Sequence, residues 1–247
     1  KKMLIDSAIY RQDVDSILST KGIDWNAFYG KTFLITGGTG LIGGLLVNSL
    51  LKANQVYDLH MELELVIRSK EKAACLFGKE TESLHLLESC VEQFNLYSGK
   101  ADYVIHAASQ TSSKGFTGEP VETFRTTLLG TMNLLEVARR CSAEKFVFLS
   151  TMEVYGTPED DRKITEDRIL PMSPENSRNC YPIGKIACEN LCYDYADEYG
   201  LCTSVLRLTQ TFGPGVNYND GRVFAEFARR VIEHRDIVLI HYVNQIN

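Results

Sequence analysis

The apolar positions of this chain follow two rhythms. Phe33–Thr36, Asp102–Ala108, Lys145–Ser150 and Thr203–Leu208 are short apolar runs, the pattern of strands buried on both faces. Glu62–Ile67 alternates and then runs apolar, which predicts a further strand. Between these runs the apolar residues fall at helical spacing, over Leu41–Ala53, Pro120–Arg140, Tyr181–Tyr199 and Phe224–Glu233. In the second of these helices Val121, Phe124, Leu128, Leu135 and Val137 form the stripe. Phe224, Phe227 and Val231 have core spacing in the last. Strands alternating with helices predict an α/β protein built on a doubly wound parallel sheet.

The ends of the chain fit this scheme less closely. Ile5, Ile9, Val14, Ile17 and Leu18 suggest a short helix, with Trp25, Phe28 and Tyr29 packing an arm onto the body. Residues 1–29 are therefore expected to be an N-terminal helical arm, and 30–247 the main domain. Over 69–98 only a helix around Glu71–Phe77 is legible, and Asp236–Ile240 reads as a last strand.

Composition narrows the class. With 247 residues and 44% hydrophobic content, the chain can bury a full core. A net charge of −6 without a basic run argues against nucleic acid or an anionic membrane as partner. No apolar stretch approaches the ~20 residues of a membrane span, and Lys1–Asp6 holds no signal-peptide core. A cytoplasmic protein is expected. Seven cysteines with no CxxC pair predict reduced thiols and no metal site.

The first strand and first helix are joined by Thr36-Gly37-Gly38-Thr39-Gly40-Leu41-Ile42-Gly43. A glycine-rich turn in that context predicts a dinucleotide site of the Rossmann type. Gly37 allows a sharp exit from the strand, Gly40 keeps side-chain atoms off a pyrophosphate, and Gly43 lets the helix pack close. The helix N-terminus then offers unpaired N–H groups to phosphate.

Two later segments carry candidate chemistry. Ser150-Thr151-Met152-Glu153-Val154-Tyr155-Gly156 follows a strand end and places a hydroxyl and a carboxylate two residues apart. Tyr181-Pro182-Ile183-Gly184-Lys185 puts a phenol and an ammonium one turn apart on one helix face. A cation there is expected to lower the phenol's pKa, so that Tyr181 takes a proton from a sugar hydroxyl while Lys185 bonds the cofactor ribose. His106, at another strand end, reads as a structural histidine.

With these motifs, together with His106-Ala107-Ala108, Gly130–Glu136 and Arg207–Pro214, the chain from about Lys31 to Leu239 resembles the extended short-chain dehydrogenases, NAD-dependent epimerases and dehydratases of nucleotide sugars. The resemblance implies Thr151, Glu153, Tyr181 and Lys185 as catalytic groups, acting on a 4-hydroxyl to give a 4-keto intermediate. It implies Gly37, Thr39, Gly40, Leu41, Ile42, Gly43, Arg68, Ala107, Ala108 and Lys185 around the cofactor, and Ser109, Thr151 and Gln210 against the substrate. A homodimer through the two long helices is also implied.

Ser-Thr-Met-Glu-Val-Tyr-Gly is similar to the segment in UDP-glucuronate decarboxylases and dTDP-glucose 4,6-dehydratases. A dehydratase needs an acid just before the glutamate, and Met152 cannot give a proton. UDP-glucuronate decarboxylase-like chemistry is therefore the leading expectation, with dehydratase or UDP-sugar 4-epimerase as alternatives. Arg68 stands where the family has an acidic residue, which opens NADP beside NAD. Thr127 and Gln210 stand where it usually has asparagine. Family members continue well beyond the strand matching Asp236–Ile240, so the C-terminal substrate-binding part is expected to be incomplete. Together with Met152, this also motivates a reading of another class, a dinucleotide-binding module without catalysis.

Overall fold

The computed structural model describes residues 4–110, 113–158, 160–168 and 170–237, with backbone only at 113–115. Six strands form one all-parallel sheet: β1 (Thr32–Thr36), β2 (Glu62–Ile67), β3 (Leu84–Glu88), β4 (Tyr103–His106), β5 (Lys145–Thr151) and β6 (Thr203–Leu208). Their order is β3-β2-β1-β4-β5-β6, so the winding reverses between β1 and β4 and opens a crevice at the carboxyl ends of those strands. The helices are α1 (Ala8–Leu18), α2 (Leu41–Tyr57), α3 (Lys70–Phe77), α4 (Ser113–Gly118), α5 (Pro120–Arg140), α6 (Cys180–Tyr199) and α7 (Val223–Ile232).

Alternate strand residues feed two apolar layers. Phe33, Ile35, Leu63, Leu65 and Leu84 pack with Val47, Leu50 and Ala53 of α2, and Leu34, Val66, Val104, Phe146 and Phe148 pack with α5 and α6. β1 is buried throughout, which explains its unbroken apolar run, whereas β4 and β5 alternate buried and half-buried positions and the edge strand β6 is half-buried with Leu206 exposed, so the burial on both faces expected of these three is not realised.

The N-terminal segment is part of the first layer. Tyr10, Val14 and Leu18 are buried, and the Tyr10 hydroxyl accepts from Asn48 Nδ2 of α2 at 3.1 Å. Trp25 stacks on Tyr57, and Phe28 meets Phe33 and Tyr103 edge-on. Tyr29 departs from expectation: it is 61% exposed, with only its ring edge against His60.

In the stretch that resisted reading, Ser69 caps α3 by accepting from the Lys72 N–H at 3.2 Å. β3 then adds as an edge strand beside β2. It was invisible to periodicity because Leu84-His85-Leu86-Leu87-Glu88 is short and half polar. At the other end, Asp236 and Ile237 lie in no regular element, and the rest of the strand expected over Asp236–Ile240 falls outside the described residues.

Residues up to Thr211 form one compact unit and those from Phe212 a second. Within the second, Phe212 meets Phe224 edge-to-face, Arg222 pairs with Asp220, and Arg229 donates to the carbonyls of Tyr218 and Asp220. Val231 is 62% exposed, so the core role expected from its spacing is not realised; Ala225 is the buried residue of α7. Among the described residues no helix is long and apolar enough to cross a membrane.

Candidate active site

The glycine turn sits at the carboxyl end of β1, over the crevice. Gly37 has φ +71°, and a Cβ there would lie 2.5–2.6 Å from the Ala107–Ala108 peptide that follows β4. Any other residue would be both strained and in collision. A Cβ on Gly43 would stand 2.3 Å from the Gly37 carbonyl oxygen, so α2 starts directly against the turn. Gly40 is the N-cap of α2 and has no side chain to take up the first N–H groups. A Cβ on it would meet only the Gly37 carbonyl, at 3.2 Å. The N–H groups of the first turn, at Leu41, Ile42 and Gly43, thus take no side-chain cap from Gly40, which fits a pyrophosphate at this helix start. Thr39, half-buried, completes the turn. Across the crevice the Thr36 hydroxyl lies 2.7 Å from His106 Nδ1 and accepts from the Ala108 N–H at 3.2 Å. Burial, with Lys185 adding to it, holds His106 down to about 3, so it is neutral and ties β1 to β4.

The second half of the site forms where β5 ends against α6. Thr151 closes β5, and its hydroxyl accepts from the Glu153 N–H at 3.3 Å, capping the turn Met152–Tyr155. Tyr181 and Lys185 project from the first turns of α6 toward this end. Pro182 lies in the opening turn, where its missing N–H costs no bond. Tyr181 is 7% exposed, its ring stacked on Phe116 with centroids 4.4 Å apart. Thr151, Ser109, Glu153 and Arg178 all act on its phenol.

The electrostatics correct one expectation. Burial, seconded by the Glu153 charge, pushes the Tyr181 phenol up; the hydroxyls of Thr151 and Ser109 and the Arg178 cation oppose this without reversing it. Lys185 does not bring the phenol below its ordinary value as its spacing suggested, because its ammonium is bound elsewhere. Nζ donates to the Leu149 carbonyl at 2.6 Å and stands 4.4 Å from the Phe148 ring centre, against 5.9 Å for Tyr181. Burial brings Lys185 itself down to about 8.

The predicted residues thus gather into a loop group (Gly37, Thr39, Gly40, Leu41, Ile42, Gly43, Ala107, Ala108) and a β5–α6 group (Ser109, Thr151, Glu153, Tyr181, Lys185). Arg68 and Gln210 flank them, exposed just beyond β2 and β6 on opposite sides of the sheet's carboxyl edge. Thr127 is buried where α5 packs on α6 beside Gly184, its hydroxyl bonded to the Thr123 carbonyl within α5. Sequence reasoning missed Phe116 and Arg178. Arg178 Nη2 pairs with Glu153 Oε2 at 2.8 Å, and its guanidinium lies 4.9 Å from the Phe116 ring centre. It also missed what Glu189 and Arg207 do, although Arg207 stands in a segment that carries the resemblance; they meet only where α6 packs against the paired β5 and β6.

Comparisons with known proteins bear on the family and the fold. A family model described as "NAD dependent epimerase/dehydratase family" matches residues 33–246. UDP-glucuronic acid decarboxylase 1 of Xenopus tropicalis is 30% identical over 85% of this chain and 48% of that protein. UDP-glucuronic acid decarboxylase 6 of Arabidopsis thaliana is 31% identical over 81% of this chain and 56% of that protein. This chain therefore spans about half the length of the curated relatives it matches. Among solved structures, UDP-glucose 4-epimerase of Thermotoga maritima with UDP-glucose superposes with a TM-score of 0.69 at 26% identity, over 85% of this chain and 66% of the other.

Proposed function

We propose, because the chain belongs to the NAD dependent epimerase/dehydratase family, that it oxidises the 4-hydroxyl of a nucleotide sugar and uses the resulting ketone to release carbon dioxide from a UDP-glucuronate-like substrate. The observation that carries this reading is the meeting of Thr151, Glu153, Tyr181 and Lys185 beside a phosphate-fitting turn, with Arg178 on Glu153. The UDP-glucuronic acid decarboxylases among its relatives support the choice within the family.

The residues divide the work as follows. The Thr151 hydroxyl bonds the sugar's 4-oxygen, and Tyr181 takes the proton from it. Ser109, Thr151 and Arg178 each favour the phenolate that this requires. NAD, when bound, supplies the acceptor for the hydrogen on carbon 4 and returns it within the turnover. A 4-ketone lies β to the carboxylate on carbon 5. The bond between carbon 5 and the carboxyl carbon breaks, its electron pair passes into the ketone as an enolate, and carbon dioxide leaves. Glu153 governs the proton that returns to carbon 5, and Arg178 supplies a cation for the acidic sugar. No leaving hydroxyl needs an acid in this scheme, which suits Met152, 40% exposed and without a transferable proton. The family is NAD dependent; exposed Arg68 offers a charge for a 2′-phosphate, so titration with both dinucleotides decides between NAD and NADP.

Tyr181→Phe tests the assignment. It keeps the ring stacked on Phe116 and removes the proton acceptor, so turnover on UDP-glucuronate should fall ~100- to 10,000-fold with the melting temperature little changed. Turnover equal to that of the parent protein contradicts the role.

A further inference from the structure

The face of α6 that carries Tyr181 and Lys185 continues to Glu189, at spacing i, i+4, i+8. Glu189 is 4% exposed. Its carboxylate accepts from Ser150 Oγ at 2.5 Å, from Arg207 Nη2 at 2.7 Å, and from Arg207 Nε, 3.1 Å from each oxygen. Arg207 stands opposite Ser150 in the β5–β6 register, covers the Tyr155 ring at 4.9 Å, and donates to the Glu166 carbonyl at 2.9 Å. One carboxylate thus joins α6 to the residue before Thr151, to β6 and to the segments beyond β5. Buried ion pairs are poor sources of stability, and apolar replacements of equal volume often do as well. What this one does provide is geometry, because Tyr181 works against Thr151 only while α6 keeps its register on β5.

The charge matters as well. Among the groups acting on Lys185, Cys188, Glu189 and Cys192 oppose the effect of burial. Burial pushes both thiols up, Cys192 to about 12, so near neutral pH they are uncharged, which leaves the carboxylate of the Glu189–Arg207 ion pair. Among the described residues the other elements around the ammonium bring no further anion: β5 gives the Leu149 carbonyl and the Phe148 ring, β4 the neutral His106, α5 the Thr131 hydroxyl beside Cys188, and β6 the Arg207 cation on Glu189.

We propose that Glu189 is a positioning residue of this site: through Ser150 and Arg207 it fixes α6 against the end of β5, and its charge holds the ammonium of Lys185. This rests on the roles given above to Tyr181 and Lys185. Glu189→Gln in the full chain keeps the shape, turns one of the two accepting oxygens into an N–H2 donor and removes the charge. Turnover on UDP-glucuronate should fall ~10- to 100-fold with KM little changed.

A second readout needs no turnover. Lys185 titrates near 8 when folded and at 10.5 when unfolded. Between those values the unfolded chain binds more protons, so stability rises with pH. In melts followed across pH, the onset of that rise should move to lower pH in Glu189→Gln. Unchanged turnover with an unmoved onset overturns the proposal. Where Glu189→Gln does not fold, Glu189→Gln with Arg207→Gln removes both charges: a recovered fold with low turnover supports positioning, and parental turnover overturns it. A parent protein inert toward UDP-glucuronate contradicts the functional reading alone, while the melts still decide this one.

Discussion

Arg178 marks where the chemistry turns on single side chains. It pairs with Glu153 at 2.8 Å while favouring the phenolate of Tyr181. A substrate carboxylate entering beside Glu153 would meet like charge unless that cation shifts to it. Arg178→Met should therefore raise KM for UDP-glucuronate ~10-fold or more and leave the affinity for UDP-glucose, whose sugar carries no carboxylate, unchanged. Equal losses for both sugars would mean that Arg178 serves only to hold the loop. At this scale the sequence was partly legible. The spacing of Tyr181 and Lys185 put both on one face of α6, and Thr151 with Glu153 followed from the strand end. The sign of the Tyr181 shift was not legible, because it depends on the burial under Phe116 and on Lys185 turning to the Leu149 carbonyl. Neither is written in local spacing.

At the scale of elements, the turn between β1 and α2 is where backbone geometry decides function. Gly37 and Gly22 both have positive φ, yet a Cβ on Gly22 meets nothing within 4 Å whereas one on Gly37 collides with the Ala107–Ala108 peptide. Comparing the two alanine variants separates conformational strain from close approach. Gly22→Ala should cost about 1 kcal/mol, Gly37→Ala at least ~2 kcal/mol, and only Gly37→Ala should weaken NAD binding, as read by denaturation and calorimetric titration. Equal effects on NAD binding would remove the turn from the cofactor site. β1 was readable because burial on both faces leaves an unbroken apolar run, Phe33-Leu34-Ile35. β3 was not, because an edge strand as polar as Leu84–Glu88 gains its place only by pairing with β2. The Glu189–Arg207 clamp was hidden for a similar reason: it exists only once β6 pairs with β5 and α6 packs against both.

Over the whole molecule, the strand order β3-β2-β1-β4-β5-β6 brings the glycine turn and the β5–α6 group to one edge of the sheet. A redox-neutral lyase needs such an arrangement, since one cofactor must receive and return a hydrogen beside the group that handles the hydroxyl proton. The direct measurement is release of labelled carbon dioxide from UDP-glucuronate carrying the label in its carboxyl carbon. The account predicts release of the label with formation of a UDP-pentose, without net reduction of NAD. Recovery of the label in a sugar that keeps its carboxylate, epimerised or unchanged, would contradict it.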